Sequence, residues 1–123
     1  MKRFDFRLQR VLDIKSTIEK AKNRDFLAAY GEFQKAVRKL QKIIDTRNKY
    51  QENLHQLEKE GIEVTSINFY FRYFGMLENQ ISFQHRMIAI AKEEMEKRRS
   101  ILIDAVKERK ILERLKEKRR EQF

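Results

Sequence analysis

The chain has 123 residues, no proline, no cysteine and three glycines, with 41% hydrophobic and 39% charged side chains and a formal net charge of +10. This length allows one domain, and the missing cysteine excludes disulfides and thiolate chemistry and fits a reducing compartment. The longest charge-free stretch, Val64 to Phe71, is far short of the ~20 residues that cross a bilayer.

The N-terminal MKRFDFRLQR is basic but lacks the apolar core of a secretory signal, so the chain reads as soluble and cytoplasmic. With no proline, nothing forces a helix to stop on either side of Gly61. The predicted elements are a helix over about 5–58, a turn over about 59–65 and a helix over about 66–121. At ~1.5 Å per residue each helix would be on the order of 80 Å long.

In the first helix a heptad seam runs Phe26, Ala29, Phe33, Ala36, Leu40, Ile43, Arg47, Tyr50, Leu54 and Leu57. Carried toward the N-terminus on apolar residues, it continues through Lys22 and Ile18, then Lys15, Val11, Leu8 and Phe4. That path needs one extra step of four, a stutter that locally unwinds a supercoil.

At the turn, Gly61 supplies a left-handed residue, Ile62 the hydrophobic contact after it, and Thr65 or Ser66 the cap of the second helix. Gly31 and Gly75 are expected to be tolerated inside the helices at about 1 kcal/mol each. The second seam reads Phe74, Leu77, Ile81, Gln84, Ile88, Ala91, Met95, Arg98, Leu102, Ala105, Arg109 and Leu112.

An antiparallel hairpin with partner numbers summing to about 124 places Tyr50 opposite Phe74, Ile43 opposite Ile81, Ala36 opposite Ile88 and Ala29 opposite Met95. It also sets Val11 or Leu12 opposite Leu112, Lys15 opposite Arg109 and Arg98 opposite Phe26. The expected fold is all-α, a long antiparallel two-helix coiled-coil hairpin, monomeric. A parallel dimer of open helices, with Gly61 as a kink, is the structural alternative.

Charge is concentrated at the two ends. Residues 1–24 hold eight basic and three acidic side chains, residues 107–123 eight basic and four acidic, and the long middle is nearly balanced. Folding back at Gly61 would bring Lys2, Arg3, Arg7 and Arg10 together with Lys107, Arg109, Lys110, Arg114, Lys116 and Lys118 to Arg120. Such an end steers toward an acidic partner. Glu108, Glu113, Glu117 and Glu121 interrupt it, unlike a nucleic-acid footprint.

No phosphate-binding loop, dinucleotide turn, Cys/His cluster or His-Glu-x-x-His helix is present. His55 and His85 read as surface or seam-edge residues, and the interleaved Glu113, Lys116, Glu117 and Arg120 as an ion-paired face. No catalytic, cofactor or metal site is expected, and no cofactor. Phe69, Tyr70, Phe71, Tyr73 and Phe74 cover every face of a helix. They either thicken the core near the turn with Tyr50 and Leu54 or form an exposed contact patch.

Three blocks are familiar as a set: Phe4-Asp-Phe-Arg-Leu-Gln-Arg-Val-Leu12, the Gly61 turn with its aromatic helix start, and the basic run from Ala105 to Arg120. Over its whole length the chain resembles the FliJ family of flagellar type III export proteins. The resemblance implies a non-enzymatic coiled-coil stalk at the cytoplasmic face of the export apparatus. Its open end would enter the hexameric ring of an export ATPase (FliI-like), and it would also touch an export gate protein (FlhA-like). In some members the role extends to export chaperones.

Carried over, the ring contact would be Phe4, Arg7, Leu8, Arg10 and Val11 with Lys107, Arg109, Lys110, Leu112 and Leu115. The gate contact would be Ile43, Thr46 and Tyr50 with Tyr73, Leu77, Gln80 and Gln84. Thr46 stands where the family has an aromatic residue, and Gln80 and Gln84 where it has alanine and histidine. Ile43, Tyr50, Leu77 and Gln84 also lie in the seam, so packing accounts for them equally. The alternative to this reading is a basic coiled-coil adaptor for nucleic acid or an anionic membrane, whose binding would weaken steeply with salt.

Overall fold

The computed structural model describes residues 3–61 and 63–123. It contains two helices, α1 (Gln9–Glu60) and α2 (Val64–Gln122), and no strand among the described residues. The fold is all-α, with α1 packing along α2 as a helical hairpin. Contacts divide the chain into two compact units, one of residues 1–31 with 93–123 and one of residues 32–92.

The second unit is a hairpin closed at Gly61, whose φ of 85° is the left-handed conformation that ends α1 without a Cβ penalty. The Gly61 amide donates to the Glu58 carbonyl at 3.3 Å. Thr65 and Ser66, the expected caps, instead lie inside the first turn of α2. The Glu63 carbonyl accepts from the amides of both Ser66 and Ile67 at 3.1 Å, so the helix opens earlier, at Val64, than a side-chain cap at either residue would start it. Ile62 is outside the described residues.

Within this unit Leu40, Leu54, Leu77 and Ile81 are buried. One polar side chain joins them: Gln84 is 4% exposed, and its Nε2 donates to the Ala36 carbonyl at 2.9 Å. Tyr50 meets Tyr73 edge-on at 4.8 Å and Tyr70 at 6.4 Å, one residue and one turn from the expected Phe74. Arg47 lies in the seam and donates from Nη1 to Glu78 at 3.0 Å, but its buried Nε has no acceptor among the described residues.

In the first unit α1 opens at Gln9, where periodicity alone extends it to about residue 5. Gln9 donates its amide to Phe6 at 3.0 Å, and the preceding residues run non-helically to put the Phe4 ring 5.6 Å from that of Phe123. Leu12, Met95 and Ala105 are buried.

The expected stutter is absent. Leu8, Leu12, Lys15, Glu19, Lys22 and Phe26 are all buried or half-buried, and they keep the three–four spacing unbroken into the seam beyond. Val11 and Ile18, chosen on hydrophobicity, are exposed. The reason is Arg109: it enters the seam from α2 and Glu19 binds it there, so a carboxylate takes the place an isoleucine would otherwise fill. Lys15 meets Glu108 at 3.0 Å in place of the expected Arg109, and Arg98 pairs with Glu94 on its own helix at 2.8 Å.

All twelve residues of the α2 seam, Phe74 through Leu112, are buried or half-buried. No side chain that the structure describes is completely enclosed. That is expected of two helices sharing one seam, which leave no room for an internal substrate cavity.

Candidate functional site: a basic terminal end and a grooved face

In the first unit both termini meet. The Phe4–Phe123 contact brings the N-terminal segment onto the last turn of α2, enclosing an open groove of about 610 Å³. Its apolar lining includes Phe4, Phe6, Leu8, Leu115 and Phe123, and Arg3, Arg7 and Arg119 stand around it with Asp5. A lining that mixes apolar side chains with guanidinium groups suits an apolar knob flanked by carboxylates, because arginine pairs with a carboxylate in a planar fork.

Four of the ten residues assigned to a ring contact, Phe4, Arg7, Leu8 and Leu115, line this groove. Arg10, Lys107 and Lys110 are exposed and have no ion-pair partner among the described residues. Val11 is exposed, and Leu112 is half-buried in the seam. Arg109 is committed internally. It donates from Nε and Nη2 to the Glu19 carboxylate and from Nη1 to Glu113 at 2.7 Å. The hydrogen bond to Glu19, then that to Glu113, raises its pKa above the ordinary arginine value, so it stays charged.

Phe6 and Phe123 belong to this groove and were missed in the sequence, whereas Arg119, counted there in the basic end, was left out of the ring contact. The signal was present as aromatic residues at both extremes of the chain, but heptad spacing cannot register a residue outside the helices. Lys2 lies outside the described residues.

The seven residues assigned to a gate contact all fall in the second unit. Leu77, 3% exposed, and Gln84 are buried against α1, whereas Ile43, Thr46 and Tyr73 are half-buried and Gln80 and Tyr50 reach the surface. The Thr46 hydroxyl is turned into its own helix, donating to the Lys42 carbonyl at 2.9 Å. Ile43, Thr46, Tyr73, Leu77 and Gln80 line one shallow depression between the helices.

The aromatic cluster divides between its two readings. Tyr70, Tyr73 and Phe74 turn inward, whereas Phe69 and Phe71 remain exposed. Both histidines are exposed. Among the described residues no group of three His, Cys, Asp or Glu could hold a metal ion, and no helix is long and apolar enough to cross a membrane.

The sequence model of a family described as "Flagellar FliJ protein" matches residues 4–123. The chain is also similar to the Flagellar FliJ protein of Bacillus subtilis (strain 168), with 22% identity over 120 residues, covering 98% of this chain and 82% of that relative. No solved structure matches.

Proposed function

The chain belongs to the FliJ family of flagellar proteins, and from that premise we propose that it is a non-enzymatic coupling protein of the flagellar type III export apparatus. Its basic terminal end enters the ring of a hexameric export ATPase. The observation that carries this reading is the junction of Phe4 with Phe123, which builds one groove lined by apolar side chains together with Arg3, Arg7 and Arg119 from the two ends of the chain.

Charge at that end steers the encounter, and the apolar side chains of the groove supply the contact once water is expelled. Exposed Arg10, Lys107 and Lys110 extend the charged surface, while Arg109 holds the helices together behind it. The protein promotes assembly or turnover of the ring and hydrolyses nothing itself. The depression lined by Ile43, Thr46, Tyr73 and Gln80 contacts the export gate, with export chaperones as further clients.

The test is stimulation of the cognate export ATPase by the wild-type protein and by a variant carrying Arg3→Glu, Arg7→Glu and Arg119→Glu. Loss of stimulation at unchanged helicity is the expected result. Stimulation equal to wild type would remove the assignment of this end. Arg109 is left out of the variant because reversing it would break the Glu19 pair and confound folding with contact.

A further inference from the structure

The closed end of the second unit departs from the rest of the chain in charge. Residues 52–63 hold four glutamates, Glu52, Glu58, Glu60 and Glu63, against one cation, Lys59, in a chain of net charge +10. All four are exposed, and none is ion-paired among the described residues. Helix stability does not account for Glu58 and Glu60. They stand in the last turn of α1, where the negative end of the helix dipole opposes a carboxylate.

Two large apolar side chains stand uncovered beside these glutamates. Val64 is 72% and Phe71 59% exposed, and seven residues apart they share one face of α2. Residues 61–63 alone join the two helices, so Glu58, Glu60 and Glu63 lie close to Val64 at the start of that face. Phe71 is two residues, about 200° of helix, from Tyr73. This face therefore points away from the depression assigned to the gate.

The chain itself holds the complement. The terminal groove of the first unit includes Phe6 and Phe123, and its lining carries three guanidinium groups, those of Arg3 and Arg119 among them, against one carboxylate, that of Asp5. No arginine of that lining is ion-paired among the described residues. We propose that the closed end of one copy docks head-to-tail in the terminal groove of a second copy. Val64 and Phe71 enter beside Phe6 and Phe123, while Glu58, Glu60 and Glu63 pair with Arg3 and Arg119. Joining two like ends would set glutamates or arginines against their own kind. The contact is heterologous, so each complex keeps one free end of either kind and adds further copies. The inference rests on the charge and exposure of the two ends, and it goes beyond the export reading by making a second copy a competitor of the ring.

Sedimentation velocity of the full chain at low salt, over a range of protein concentrations, tests this. The wild type should associate with rising concentration, and added salt should weaken the association. Val64→Ser with Phe71→Ser at one end, or Arg3→Glu with Arg119→Glu at the other, should each weaken it about ten-fold or more. An equal mixture of the two variants should form a 1:1 dimer and nothing larger, because each retains one intact end. Circular dichroism on each variant separates lost association from lost fold. A wild type that stays monomeric at millimolar concentration overturns the proposal, as does association that survives either variant. So does a mixture that stays monomeric while the wild type associates, which would mean that like ends join. Oligolysine captured through Phe71 by a wild type that does not self-associate would give the closed end to another basic partner, against the proposal. The Val64/Phe71 variant should stimulate the export ATPase as the wild type does, so failure of self-docking and failure of the ring assignment are read separately.

Discussion

Glu19 and Arg109 meet across the helix pair although 90 residues separate them, with two guanidinium nitrogens on one carboxylate and both side chains about one-fifth exposed. This fork occupies a seam level that apolar residues would ordinarily fill, and Glu113 takes a third guanidinium nitrogen. Removing one partner leaves the other half-buried without its counter-charge, which costs more than replacing both with apolar residues. Glu19→Leu alone should therefore lower the melting temperature by a few degrees, and adding Arg109→Leu should recover much of the loss. Thermal denaturation followed by circular dichroism decides it: equal melting of the single and double variants would show that the pair is not coupled.

The same pair sets a pH expectation. The pKa of Arg109 is raised in the folded chain, by Glu19 foremost. A raised pKa contributes stability that is fully present below the unfolded value and is lost only as pH rises through the folded one. Both lie far above the mildly alkaline range, because even the unfolded guanidinium keeps its proton there. The stability difference between wild type and Arg109→Leu should thus stay flat from mildly acidic to mildly alkaline pH. A difference that changed steeply across that interval, measured by urea unfolding at each pH, would contradict this account of Arg109.

Why Glu19 escaped the sequence reading is physical. Hydrophobic spacing recovered every position of the α2 seam and, but for Tyr50 at the surface, the α1 seam from Phe26 onward, because there the buried side chains are mostly apolar or, like Arg47 and Gln84, fall between apolar neighbours. Near the N-terminus the apolar candidates Val11 and Ile18 lie one position from the true Leu12 and Glu19. Only the partner on the other helix reveals that a glutamate is at home in the seam. The terminal groove was half legible: net charge identified its arginines, but Phe6 and Phe123 meet it from outside the helical repeat. Leu77 and Gln84 show the converse, since a heptad seam and a contact surface draw on the same positions until burial separates them.

Arg47 offers a stabilising substitution. Its Nη1 reaches Glu78, but its buried Nε lacks an acceptor among the described residues, and an unsatisfied buried donor costs about 1–3 kcal/mol. Glu78 is more than half exposed and keeps its water when the arginine is removed. Arg47→Leu should raise stability by about 1 kcal/mol, read as a higher urea midpoint at unchanged slope. A fall in the midpoint would mean that the Glu78 pair outweighs the orphaned donor.

Gly75 and Gly61 should respond oppositely to alanine. A Cβ on Gly75 meets nothing within 4 Å and the residue is helical, so Gly75→Ala should stabilise by up to about 1 kcal/mol. Gly61 has equal room, but its φ of 85° is strained for any L side chain, and Gly61→Ala should cost roughly 1–2 kcal/mol. Paired urea titrations test the contrast, and two shifts of the same sign would refute it.

Phe123 anchors a segment that has no helical hydrogen bonds of its own before Leu8. The ring contact with Phe4, worth about 0.5–1.5 kcal/mol beyond its buried area, is what keeps Arg3 and Arg7 beside the end of α2. Phe123→Ser removes the ring without touching a charge, so the N-terminal segment should open while the seam from Leu12 onward stays paired. Limited trypsin digestion should then cut after Arg3 and Arg7 several-fold faster, with the melting temperature nearly unchanged. Unchanged cleavage would show that Leu8 and Leu115 hold the segment without the aromatic pair. Faster cleavage accompanied by a large drop in melting temperature would mean that the terminal contact supports the helices behind it.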